Sequence, residues 1–136
     1  MNKTNEINSR GTLIHDARKF NFGWRMWFWL LMIGNLVAPI FFLKHPEAWG
    51  VLGTYVLAAA VIIPLHRRLG WVRLLGIGHF PWFVLLPWLY SRMMTTAIPN
   101  AMWMCLVTVI VVNTICLIID IVDLFRYARG ERAPIV

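Results

Sequence analysis

The sequence predicts an all-α integral membrane protein with four transmembrane helices in an antiparallel bundle, the third kinked by proline. Three observations predict it. Apolar residues make up 60% of the chain and charged residues 14%. A soluble domain of 136 residues with that balance would expose much apolar surface to water. The apolar residues also gather into four blocks free of Asp, Glu, Lys and Arg: Met26–Leu43, Trp49–Leu65, Leu74–Tyr90 and Ala101–Ile119. With its flanks, each is long enough to cross about 30 Å of hydrocarbon as a helix. Finally, the cationic residues bracket the blocks and do not enter them. A buried helical core in a soluble bundle accounts for one such block, but not for four in so short a chain.

The elements follow in order. Residues 1–21 form a polar cytoplasmic tail, in which TLIHDARKFNF suits a short surface helix with Leu13, Ile14 and Phe20 as its apolar contacts. The transmembrane domain covers 22–124, with spans expected at 24–43, 49–65, 72–91 and 101–123. Residues 125–136 are a basic cytoplasmic tail. Connections of about five to ten residues make consecutive helices antiparallel neighbours.

Span one carries Asn35 and Pro39. Asn35 falls past the midplane and suits a hydrogen bond across a helix interface, with Asn113 as the partner considered. Such bonds contribute about 0.6 kcal/mol on average in membranes, which favours a structural role over substrate contact. Pro39 bends the last turns. Span two opens at HPE, residues 45–47, a helix-initiating turn with Glu47 in its first turn. It offers a close-packing face in Gly50, Thr54 and Ala58, which predicts a helix contact but not the partner. Pro64 and His66 are expected to close it, with His66 interfacial and wet.

Span three holds GIGHFPWFVLLPW, residues 76–88. Pro81 and Pro87 each lack a donor and clash with the carbonyl four residues back, so two kinks are expected. His79 lies in the first disturbed turn, about 12 Å in from Trp71. Its ring suits either the carbonyl of Ile77 freed by Pro81 or Asp120 on the next helix. In span four, Asn113, Cys116, Asp120 and Asp123 lie within an arc of about 80°. That arc must face other helices, because lipid cannot satisfy it. The simplest account pairs both carboxylates with arginines, Arg126 or the Arg67, Arg68 and Arg73 group. The sharper one makes Asp120, with His79, a proton or cation site.

Orientation follows from charge. Of the 13 Lys and Arg residues, eleven lie in the N-terminal tail and first helix entry, the middle loop or the C-terminal tail. Lys44 and Arg92 alone lie in the other two loops. The positive-inside rule then places both termini in the cytoplasm, in a bacterial inner membrane. Charge that brackets spans reads as contact with anionic lipid, so no nucleic acid is expected. Trp24, Trp27, Trp29, Trp49, Trp71, Trp88 and Trp103 fall near span ends, as aromatic belts do, and Trp82 alone falls deep inside. No cleaved signal peptide or lipidation motif is expected.

The chemistry is sparse. Cys105 and Cys116 lie about 16 Å apart along one helix, beyond disulfide reach, and are taken as packing residues. No metal site is expected, since no HxxxH or CxxC spacing occurs. A haem would need His79 with His66 as its nearest histidine partner. Bound lipid is expected. Enzyme motifs such as GxSxG, HExxH and the P-loop are absent, which argues against an enzyme. In length and span number the chain resembles the small multidrug resistance transporters, whose first helix carries a glutamate; here that helix has Asn35 and no acid. A four-helix monomer is expected to leave little interior for a path, so transport would imply an oligomer. The leading expectation is a structural or accessory subunit acting through intramembrane helix packing, in a homo-oligomer or a larger membrane complex. The second is a small oligomeric proton-coupled transporter or channel using Asp120 with His79.

Overall fold

The computed structural model describes residues 12–135, and these are all-helical. In chain order they form α1 (Leu13–Ala17), α2 (Phe22–Met32), a π-helical stretch (Ile33–Val37), α3 (Ala38–Ile40), α4 (Pro46–Leu69), a 3₁₀ helix (Arg73–His79), α5 (Trp82–Thr95) and α6 (Asn100–Ala128). The tail expectation for residues 1–11 lies outside the described residues.

Two helices, α4 and α6, are long and apolar enough to cross a membrane. The 3₁₀ helix and α5 together make a third such stretch, bent by 42° at its break. Of the four spans expected from the sequence, the third of them kinked, two are thus unbroken helices long and apolar enough to cross, and the reasons the other two are interrupted are local. In the first block, the ring of Pro39 would meet the carbonyl of Asn35 in a regular α-helix. The chain widens there instead, and Ala38 N–H donates to Ile33 O, five residues back. In the third block, Gly76, Gly78 and Pro81 disfavour an α-helix, and the chain winds tighter. Phe80 N–H donates to the carbonyl of Ile77 at 3.2 Å, and of the two acceptors expected for His79 the ring takes Asp120.

Pro87 lies inside α5, and the break in this stretch falls at Pro81. One further expectation is corrected: Pro64 lies inside α4, which runs on to Leu69. The true stop is Gly70, at φ 76°, whose N–H bonds His66 O at 2.7 Å. Only glycine takes that backbone readily, which is why helices so often end on it.

The core joins α4, α5 and α6 through Val51, Trp82, Leu86, Leu89, Met102, Leu106 and Val109. The 3₁₀ helix packs between α4 and α6. The small-residue face of α4 finds its partner within the chain. A Cβ on Gly50 would lie 3.1 Å from both Leu85 and Trp88 of α5. Thr54 and Ala58 are buried. A Cβ on Gly78 would collide with Ile62 and lie 3.2 Å from the carbonyl of Ala58, so glycine here lets the 3₁₀ helix sit against α4. At the far end of the same helices, buried Glu47 receives Arg92 Nε at 2.7 Å. Glu47 thus does more than start α4: it ties the starts of α4 and the end of α5 together.

Candidate binding cavity and its polar cluster

A 3₁₀ helix brings residues i and i+3 into register, so Arg73, Gly76 and His79 share one face. In α6, Cys116, Asp120 and Asp123 share a face at α-helical spacing. These two faces meet, running in opposite directions. Arg73 Nη1 donates to Asp123 Oδ1 at 2.6 Å. A Cβ on Gly76 would lie 2.8 Å from Asp120 Oδ1, so only a bare backbone makes room for that carboxylate. His79 Nδ1 donates to Asp120 Oδ2 at 2.8 Å. The thiol of Cys116, one turn back, donates to the same oxygen at 3.5 Å and lies 3.8 Å from His79 Nδ1.

The expected arc on α6 thus meets neighbours throughout, but the pairing differs from the simplest expectation. Asp123 takes an arginine, while Asp120 takes His79. Arg126 turns to Glu131, at 2.7 Å, and Arg73 lies 3.4 Å from the same residue. The Arg126 guanidinium holds the Glu131 carboxyl below its ordinary range. The C-terminal tail folds back here, with Ile135 N–H bonding Trp71 O at 2.7 Å.

Asn35 and Asn113 form a reciprocal amide pair in the buried interior. Asn35 Nδ2 donates to Asn113 Oδ1 at 3.0 Å, and Asn113 Nδ2 donates back at 2.7 Å. Asn113 Nδ2 also donates to Val109 O at 2.8 Å, within its own helix. Asn35 belongs to the π-helical stretch, so the widened turn is where the first helix is pinned to α6. Toward the N-terminus, α2 has no buried residue. It stands off from the other helices, and the gap is a cavity of about 790 Å³.

That cavity is built by a single chain. Its walls include Trp24, Trp27, Phe28, Tyr55, Ile62 and Trp82, and its polar groups include Asn35, Arg73, His79, Cys116, Asp120 and Asp123. Helix α1 lies across one end, contributing Leu13 and Ile14, with Phe20 close behind it. Phe20 meets Trp71 edge to face at 4.9 Å. Thr12 caps α1 by accepting from His15 N–H at 3.3 Å. Asp16 then ties α1 to α4: its carboxylate lies 3.1 Å from His66 Nε2 and 2.8 Å from Lys19 Nζ. The hydrogen bond from Lys19 holds the Asp16 carboxyl below its ordinary range. His66 is buried under this contact, at 1% exposure, and the wet interfacial position expected for it is corrected.

Sequence reasoning brought Asn35, Asn113, His79, Asp120 and Asp123 forward, and the structure gathers them into two adjoining groups. The Gly50, Thr54 and Ala58 face lies apart, in the α4–α5 contact and beside the 3₁₀ helix. His79 and His66, the histidines considered for a haem, face different carboxylates. Cys116 was missed. Its signal was present as Cys-x₃-Asp, a spacing that stacks both side chains on one helix face. The chain matches no known protein family, no curated protein and no solved structure.

Proposed function

We propose that the chain is a four-crossing membrane protein that holds a small amphipathic molecule in the cavity of its inner half. The polar end of that molecule meets the His79–Asp120–Cys116 cluster, and its apolar body lies against the aromatic walls. The cavity carries this reading. Its volume falls within the range of about 300–1,000 Å³ typical of small-molecule sites, and apolar walls with few converging polar groups are the usual make-up of one.

The four crossings rest on continuity of backbone and on charge. Residues 22–40 run from α2 through the π turn to α3 with no gap, close to the length a bilayer core requires. The 3₁₀ helix and α5 form one broken crossing. Irregular backbone at membrane depth is tolerated where it lines a cavity, as the 3₁₀ helix does here. The placement of arginines supports both termini, and the cavity end near Arg73, lying on the cytoplasmic side of a bacterial inner membrane. Exposed side chains such as Val56, Leu57, Val84, Ile118 and Val122 suit contact with lipid.

The binding reading displaces the accessory-subunit expectation because the small-residue face of α4 is already occupied within the chain. Assembly with copies of itself or with a larger complex is not needed to build the cavity. Native mass spectrometry from mild detergent tests the reading. The wild-type chain should retain one small molecule, and Ala59→Trp, which fills the cavity from α4, should lose it while keeping its helical signal. A wild-type chain that carries nothing, or an Ala59→Trp chain that retains the same molecule, contradicts it.

A further inference from the structure

We infer that His79, Cys116 and Asp120 form a binding site for a divalent transition-metal ion, Zn²⁺ by preference, at the polar end of the cavity. Three donors of three kinds converge there: an imidazole nitrogen, a thiol sulfur and a carboxylate oxygen. Their separations are 2.8 Å for N to O, 3.5 Å for S to O and 3.8 Å for S to N. Tetrahedral Zn²⁺, with bonds of about 2.0–2.3 Å, would set the corresponding edges at about 3.3, 3.5 and 3.6 Å. The triangle is thus within about half an ångström of one face of that tetrahedron at every edge, and the largest change is a lengthening of the His79–Asp120 hydrogen bond as the ion replaces its proton.

Charge and ligand type select the ion. A thiolate and a carboxylate balance a dication, so the loaded site is neutral, as a low-dielectric interior requires. Nδ1 must offer its lone pair, so the imidazole proton resides on Nε2 in the loaded form, and the thiol proton is released to solvent. The neighbouring cation, Arg73, is held by Asp123 and Glu131 and does not oppose the ion alone. A sulfur donor and a set of three disfavour Ca²⁺ and Mg²⁺, which take six or more oxygens. Three protein ligands leave one position open, as in zinc sites that act on a bound molecule. All three residues line the cavity, which gives the ion a way in and the open position a place for water or for the donor atom of an occupant. This last role rests on the cavity reading above; the coordination geometry does not.

The test uses untagged, full-length protein in mild detergent, stripped with chelator and titrated with Co²⁺. One equivalent should bind, giving a sulfur-to-cobalt charge-transfer band and the ligand-field bands of a tetrahedral ion, both abolished by Zn²⁺. Cys116→Ala should lose the charge-transfer band, and Cys105→Ala should keep it. In the wild-type chain, where folding is not at issue, Zn²⁺ should slow alkylation of Cys116 at least tenfold and leave Cys105 unchanged. Absence of the band, its survival in Cys116→Ala, or equal alkylation with and without Zn²⁺ overturns the inference. A chain that retains a small molecule but gives no cobalt band overturns the metal site and leaves the cavity reading standing. Cobalt binding with no retained molecule does the reverse.

Discussion

Individual residues fix how the helices meet, and they do so through satisfied polar groups and missing side chains. The Asn35–Asn113 pair is self-contained: each amide supplies the other's acceptor, and the spare N–H of Asn113 goes to Val109 O. Asn35→Ala should therefore cost about 1–2 kcal/mol, above the membrane average, because it orphans a buried amide. The Asn35→Leu, Asn113→Leu double variant should cost less than the two single changes together. Reversible denaturation in mixed micelles measures this, and strictly additive costs would show that the pair is not coupled. Gly76 works by absence. A Cβ there would lie 2.9 Å from the Cβ of Asp120, so Gly76→Ala must push α6 and the 3₁₀ helix apart. The expected loss is about 1–3 kcal/mol, read as a lowered melting temperature, and an unchanged value would contradict the close contact.

At the scale of elements, the two irregular helices position everything else. The π turn turns Asn35 toward α6, and the 3₁₀ helix sets Arg73, Gly76 and His79 in a row against Asp123, Asp120 and Cys116. The sequence announced that these segments were disturbed, through Pro39, Pro81 and paired glycines, but not how. Wider or tighter winding depends on which neighbour takes the displaced carbonyl, and that is a tertiary matter. For the same reason His66 looked wet. Its burial depends on α1 arriving from 50 residues away with Asp16. The arc on α6 was legible because α-helical spacing alone defines it, whereas the partners of that arc sit on a 3₁₀ element whose period was not foreseen. Helix α1 makes its own prediction. Asp16, faced by His15, Lys19 and His66, has a folded-state value below the ordinary 3.8, so its contribution to docking is fully present above that value and fades as pH falls through the lower one. Hydrogen exchange of residues 13–17 should thus show protection that holds between neutral pH and about pH 4 and drops only in stronger acid. Asp16→Asn should weaken protection at neutral pH, and a variant indistinguishable from wild type there would remove Asp16 as the tether.

The whole molecule has a pinned end and an open end. The pinned end is held by the core of α4, α5 and α6 and by Glu47 with Arg92, while α2 stands away on the other side of Asn35. Single cysteines placed at positions 44 and 97 should be labelled from outside the cell and those at 70 and 130 from the cytoplasm; the inverse pattern would overturn the orientation, and 44 and 97 on different faces would contradict four crossings. The most direct test of the central claim is access to Cys116, carried in a Cys105→Ser chain in chelator-washed membrane vesicles and exposed to a membrane-impermeant maleimide. Labelling is expected from the cytoplasmic face alone, abolished by Ala59→Trp. Labelling from the outer face, or none from either face in folded protein that labels readily once denatured, would contradict a cytoplasm-facing cavity that reaches His79, Asp120 and Cys116.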